Sequence, residues 1–127
     1  MNIETVPGEF SICKVPGYSK ADLDSPWCFI SKTDTENSLV CLTDSVPADA
    51  VCRDDGWRAF RIQGILDFSL TGVLAALSAV LADRKIGIFA VSTYNTDYIF
   101  TRSENFSRAL AALSAAGYDI AGEAKRV

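Results

Sequence analysis

The chain has 127 residues, 16 acidic against 12 basic side chains, four cysteines and no histidine. Without imidazole there is no Ser-His-Asp or Cys-His nucleophile pair and no histidine metal ligand, so acid–base work near neutral pH would fall to a strongly shifted carboxylate, lysine or cysteine. A net charge of −4 and a pI near 4.7 argue against sequence-independent nucleic-acid binding, which needs Lys and Arg in surplus facing phosphates.

The rest of the composition, 49% apolar with mean hydropathy +0.16, is that of a globule holding one domain or two very small ones. No apolar run approaches the roughly 18 residues needed to span a bilayer, and Met1 to Phe10 lacks the charged start and apolar core of a signal peptide. The expectation is a cytoplasmic protein with no membrane partner, whose partners are small molecules or proteins rather than nucleic acid.

The first half reads as short strands. Glu9 to Val15, Pro26 to Lys32 and Ser38 to Thr43 have strand character, and Thr33 to Asn37 is a polar turn between the latter two. Ser19 to Leu23 is a candidate for a shrunken helix, and Val46 to Cys52, with Pro47 near its start, for a single helical turn. Cys13, Cys28, Cys41 and Cys52 are too evenly spaced for a CxxC redox or zinc motif and keep apolar company, so they read as buried free thiols. Arg53-Asp54-Asp55-Gly56 is a polar break, and it divides the chain into residues 1–56 and 57–127.

Beyond the break the periodicity sharpens. Arg58 to Gln63 alternates as a half-buried strand does, then Leu70, Val73, Leu74, Leu77, Val80 and Leu81 recur at helical spacing, predicting a helix over about 70 to 83 with Ser69 as N-cap. Ile86 to Val91 is an apolar strand, Ser92 to Thr96 a turn, and Asp97 to Thr101 the returning strand of a hairpin. Ser103 is placed to cap a second helix with the stripe Phe106, Ala109, Leu110 and Leu113, Gly117 to stop it, and Tyr118 to Ala121 to form a last strand. The order is β-α-β-β-α-β, and a right-handed crossover followed by a hairpin closes economically as a four-stranded antiparallel sheet with both helices on one face, the ferredoxin-like arrangement. The fold class is therefore α+β, with the first half open to reading as a degenerate, strand-rich copy of the second.

This topology puts the loop Leu66 to Gly72 and the turn Ser92 to Asp97 at one sheet edge. The unpaired N–H groups at the first helix's start suit a carboxylate, Asp67 and Asp97 suit an ammonium or guanidinium, and the Ser92 and Thr93 hydroxyls can donate or accept. Against this zwitterion pocket stands the plainer reading of Ser69 as a cap, Asp67 as a turn residue and Gly72 as a packing glycine. Three other functions share the topology. An acylphosphatase-type enzyme needs an Arg and phosphate-binding backbone in the first loop, where this chain has Asp67. An RNA-recognition domain stacks bases on sheet aromatics, for which Phe60, Tyr98 and Phe100 are candidates. A structural module would keep only the dimerisation surface.

The blocks Leu66-Asp67-Phe68-Ser69-Leu70-Thr71-Gly72-Val73 and Val91-Ser92-Thr93-Tyr94-Asn95-Thr96-Asp97-Tyr98 resemble the ACT domain, in the branch shared by small bacterial ACT proteins, aspartokinase regulatory regions and the cytosolic arginine sensors of animals (CASTOR). Pro7 to Cys13 and Ser38 to Cys41 are also similar to the small bacterial proteins, so the resemblance covers nearly the whole chain and implies two tandem ferredoxin-like, ACT-like units, the first degenerate. It implies regulation by a bound amino acid, without catalysis, cofactor or metal. It further implies a homodimer, an unidentified regulated protein, and a ligand held where ACT units pack. Carried over, the ligand-binding residues are Asp67, Phe68, Ser69, Thr71, Gly72 and Val73 from the loop, with Ser92, Thr93, Tyr94 and Asp97 from the turn. Asn95 replaces an Asp found in many relatives, which weakens the case for a strongly basic ligand.

Overall fold

The structure is a computed structural model and describes residues 1–63 and 72–123. In chain order the elements are β1 (Asn2–Lys14), β2 (Cys28–Lys32), β3 (Asn37–Leu42), a 3-10 turn (Thr43–Ser45), β4 (Cys52–Ile62), α1 (Val73–Asp83), β5 (Ile88–Ser92), β6 (Asp97–Arg102), a second 3-10 turn (Ser103–Asn105), α2 (Phe106–Ala115) and β7 (Asp119–Glu123). The chain divides into two compact units, Met1–Pro7 with Arg58–Ala124, and Gly8–Trp57. Both β1 and β4 therefore contribute to each unit.

In the first of these units, strand order is β5-β6-β4-β1-β7. The aliphatic stripes read from the sequence meet there: Leu77 and Leu81 of α1 and Ala109, Ala112 and Leu113 of α2 pack with Ile3, Phe60, Ile62 and Ile99 from the strands. Each large side chain so buried contributes roughly 1.5–3 kcal/mol of transfer free energy, and a single cluster holding both helices is what one-sided coverage of the sheet requires. The mixed α and β architecture, with antiparallel pairing and two helices, is that expected of a ferredoxin-like fold.

The sheet departs from the four-strand expectation. Residues 2–7 of β1 lie between β4 and β7, and β7 pairs with β1 in parallel, Asn2 opposite Asp119 and Ile3 opposite Ile120. On the other side Gln63 N donates to Asn2 O at 2.9 Å and Arg61 pairs with Glu4, so β1 and β4 run in opposite senses. Ile3 and Val6 are fully buried, yet three residues apart and followed by Pro7-Gly8, they carry no strand periodicity.

Helix ends also differ from expectation. α1 starts at Val73, and its N-cap is Gly72, with φ 76°, rather than Ser69, which lies outside the described residues. Ser103 does not cap α2: its hydroxyl oxygen is buried without a hydrogen-bond partner among the described residues, and Asn105 holds the N-cap position. Gly117 does follow α2 with φ 100°, as a helix stop should.

The unit Gly8–Trp57 has strand order β2-β3-β1-β4 and no α-helix. Residues 15–27 hold turns rather than a shrunken helix, and 46–51 a turn closed by Ala50 N to Pro47 O at 3.1 Å. Arg53 to Gly56 is not a break but the interior of β4, which is hydrogen-bonded to β1, and the strand period brings Arg53 and Asp55 to one side, where they pair at 3.0 Å. Of the cysteines, Cys13 and Cys41 are buried and Cys28 half-buried, whereas Cys52, at the start of β4, is exposed. All four are free thiols.

One regularity is invisible to residue identity. The run β2, turn, β3, 3-10 turn over Cys28–Ser45 recurs, bound for bound, sixty residues later as β5, turn, β6, 3-10 turn over Ile88–Asn105. β3 and β6 share the same order of half-buried and buried positions, although Phe29/Phe89 and Thr33/Thr93 are the only identical pairs.

Candidate functional site

The turn Ser92–Asp97 is a tightly bonded object. Thr93 N donates to Thr96 O at 2.9 Å, Thr93 Oγ1 donates to the same carbonyl at 2.8 Å, and Thr96 N returns a bond to Thr93 Oγ1 at 3.3 Å. Short hydroxyl side chains close turns in this way because they reach the backbone two or three residues on. Across the mouth of the hairpin, Ser92 Oγ donates to Asp97 Oδ1 at 2.6 Å, and Ser92 and Asp97 are paired in the ladder. Tyr94 stands at the tip, 81% exposed.

The turn is also tied to β4. Thr96, only 6% exposed, donates from Oγ1 to the carbonyl of Ile62, the last residue of that strand, at 2.9 Å. The structure thus brings the turn to the end of β4, while most of the loop expected opposite it lies outside the described residues. Of the sequence-derived ligand residues, Asp67, Phe68, Ser69 and Thr71 lie outside the described residues. Gly72 and Val73 form the start of α1, and Ser92, Thr93, Tyr94 and Asp97 form the turn.

Gly72 and Val73 line a cleft of about 410 Å³ together with Met1, Ala76, Ala116, Gly117 and Tyr118. The cleft therefore lies where α1 begins and α2 ends, and the turn residues are not among its described walls. Its position combines N–H groups that begin a helix, which favour an anion, with small side chains that leave room. Of these residues only Gly72 and Val73 were legible beforehand; the contribution of the α2 terminus follows from two antiparallel helices on one face, a signal present in the topology. Thr96 was legible only as a turn residue.

Electrostatics elsewhere in the molecule narrows what the chain can do. Burial pushes the Cys41 thiol up to about 12, with the neighbouring Cys13 and Cys28 adding to the rise. Cys13 and Cys28 are raised by burial too, which disfavours the thiolate at each of the three. Among the described residues no group of His, Cys, Asp and Glu is arranged to hold a metal ion, and no helix is long and apolar enough to cross a membrane. The base-stacking alternative loses its platform: Phe60 and Phe100 are fully buried, Phe60 against the helices and Phe100 stacked on Phe89 with ring centroids 4.5 Å apart.

Comparison with known proteins agrees with this architecture. Residues 53–115 match the family model described as the ACT domain. No curated protein sequence matches the chain. Among solved structures, the protein Atu0741 from Agobacterium tumefaciens is 30% identical, superposes with a TM-score of 0.85, and is covered over 96% of its length by 99% of this chain. The Vibrio cholerae protein VC0802, described as of unknown function and a possible transport protein, is 20% identical with a TM-score of 0.68, over 87% of this chain and 85% of that one. Aspartate kinase from Synechocystis is 14% identical with a TM-score of 0.70, over 99% of this chain but 28% of the enzyme, a likeness of fold to one part of a much longer protein. With this fold and this family match, the chain belongs to the ACT domain family.

Proposed function

We propose that this chain is a non-catalytic regulatory protein that binds an amino acid through its C-terminal ACT domain, and that it works as a cytoplasmic homodimer with the ligand held where ACT units pack. The observation that carries the reading is the tethering of the Ser92–Asp97 turn to the end of β4, which leads into the segment preceding α1. In this reading the backbone from Gly72 onward receives the ligand carboxylate, Asp67 and Asp97 receive its ammonium, and Phe68, Ser69, Thr71, Val73, Ser92, Thr93 and Tyr94 shape the rest of the site. The sixty-residue recurrence of the hairpin supports a tandem organisation, a degenerate first ACT-like unit followed by a complete second one, with residues 1–56 and 57–127 as the two repeats in sequence. The likeness of fold to aspartate kinases supports a regulatory role, since one of them, from Clostridium acetobutylicum, is described as an allosteric enzyme.

Calorimetric titration with each of the twenty amino acids tests the proposal. Binding of one of them, with a rise in thermal stability of about 2.7 kcal/mol at a hundred times its dissociation constant, and loss of that rise in Asp67→Asn, is the expected result. No binding at millimolar concentration would overturn it in favour of a dimerisation module without a ligand. One observation favours that second reading: the Ser92 and Thr93 hydroxyls already donate within the turn, so a ligand must compete with those bonds or leave them in place.

A further inference from the structure

Cys13, Cys28 and Cys41 stand on one face of the unit Gly8–Trp57, and the strand registers decide which two of them can be joined. β2 and β3 pair antiparallel with Cys28 directly opposite Cys41. Residues facing each other across an antiparallel ladder have Cα atoms about 4.5 or 5.5 Å apart, and both values fall inside the roughly 4.4–6.8 Å span of a disulfide. β1 and β3 pair with Ser11 opposite Cys41 and Cys13 opposite Leu39. Cys13 therefore approaches Cys41 only along the diagonal, where the separation is about 7–8 Å and a bond would require the backbone to move. Sixty residues on, the positions of Cys28 and Cys41 are held by Ile88 and Thr101, again opposite each other.

We infer that Cys28 and Cys41 are a site of reversible thiol oxidation, closed into a cross-strand disulfide by a small-molecule disulfide such as glutathione disulfide. The inference is independent of the amino-acid site. Cys28 is half-buried at the start of β2, the outermost strand of the sheet, whereas Cys41 is 2% exposed in a cluster packed by Tyr18, Ala21, Val46 and Ala50. Cys28 is therefore the thiol that meets the oxidant. Its sulfur, as thiolate, attacks one sulfur of glutathione disulfide; that S–S bond breaks, and the glutathione released takes up the proton Cys28 gave up. The Cys41 thiolate then attacks the Cys28 sulfur of the mixed disulfide, the second glutathione leaves with the proton from Cys41, and the two electrons lost by the protein reside in the two reduced glutathiones. Burial raises the Cys28 thiol and the Asp22 carboxylate adds to the rise, so the first attack runs on the scale of hours rather than seconds. The new bond lies at the open end of the hairpin, away from the turn at Thr33. It fastens an edge strand that is otherwise held by its ladder to β3 and by the Tyr18 hydroxyl, which donates to Ser31 O at 2.8 Å and Ser38 O at 3.2 Å.

The test uses the full chain carrying Cys52→Ser, which removes the exposed thiol that would otherwise collect mixed disulfides. It is incubated with glutathione disulfide at mildly alkaline pH without denaturant, the remaining thiols are alkylated, and the products are mapped by mass spectrometry. The expected result is that Cys28 and Cys41 resist alkylation while Cys13 does not, that the peptides carrying Cys28 and Cys41 are joined until dithiothreitol separates them, and that amide exchange in β2 slows about tenfold or more. Adding Cys13→Ser leaves the bridge intact. Adding Cys28→Ser instead abolishes it in a chain that circular dichroism shows to be folded. A bridge between any other pair, or Cys28 and Cys41 still open to alkylation in the folded chain after a day with the oxidant, would overturn the inference. A bridge that forms only in urea would overturn it as well, since pairing in the unfolded chain owes nothing to the register of β2 against β3.

Discussion

The two hairpins, Cys28–Leu42 and Ile88–Arg102, are near-copies in backbone and opposites in what covers them. Beside β6, the buried Ile99 packs in a cluster walled by α1 and α2. At the corresponding place in β3, Leu39 packs with Cys13, Val15 and Cys41 under Tyr18, Ala21, Val46 and Ala50, which belong to turns. The hairpin itself is thus specified by a threonine-closed turn and a buried run of three, whatever lies above it. The difference should appear in how each site responds to lost volume. A cavity costs more where rigid elements prevent collapse, so Ile99→Ala is expected to cost about 4 kcal/mol and Leu39→Ala about 2–3 kcal/mol, because turns can settle into the gap. Urea denaturation of both variants checks this, and equal losses would mean that the turn-covered unit is packed as stiffly as the helical one.

A second contrast lies in the two strands that each unit shares. Gly8 in β1 has φ +93° and Gly56 in β4 has φ +87°, each within two residues of the point where its strand passes from one unit to the other. A Cβ at Gly8 would come 2.9 Å from Leu42 Cδ2, whereas one at Gly56 would meet nothing within 4 Å. Left-handed backbone costs an L-residue about 1–2 kcal/mol. Gly56→Ala is expected near the lower end of that range and Gly8→Ala at or above the upper end, since Leu42 must also move. Thermal or urea unfolding measures both, and a Gly8→Ala loss no larger than that of Gly56→Ala would show that the Leu42 side chain turns aside without cost.

What could be read from the sequence follows the range over which each interaction acts. α1, α2 and both hairpins were legible because their signals are local: stripes such as Leu77/Leu81 and Ala109/Leu113, and polar turns at Thr33 and Ser92. Arg53 to Gly56 reads as a polar break because its composition is that of a turn, whereas it lies inside β4, and the division between the compact units falls just beyond it, after Trp57. What makes it a strand is its place in the sheet beside β1, with Ser11 of β1 donating to Asp55 from 44 residues away. Residues 2–7 escaped notice for the same reason, their strand character being conferred by β4 and β7 on either side. At the candidate site, Gly72 and Val73 could be placed from the helical period. The tether from Thr96 could not, since its acceptor is a backbone carbonyl that carries no mark in the amino-acid code.

The smallest expected effect concerns the 3-10 turns that end the two hairpins. In one, Thr43 Oγ1 lies 2.9 Å from Ser11 Oγ, and the fully buried Ser11 donates to Asp55 Oδ1 at 2.6 Å. In the other, the equivalent hydroxyl of Ser103 is buried with no partner among the described residues. The Ser11 hydroxyl first, and the Arg53 guanidinium second, hold the Asp55 carboxyl below its ordinary range. A carboxyl whose folded pKa is depressed contributes stability that is present above its unfolded value, about 3.9, and that is lost as pH falls through the folded value. The network around Thr43 should therefore add a small acid-labile increment below about pH 4, for which the turn at Ser103 has no counterpart. Asp55→Asn removes that increment, so the stability of the variant should fall less steeply than the parent's as pH is lowered through this window, with the two curves running parallel from pH 5 to 7. Salt should shrink the difference only slightly, since the larger cause is a hydroxyl bond and not the exposed ion pair with Arg53. Acid limbs of equal slope would mean that Ser11 satisfies Asp55 no better than water does in the unfolded chain.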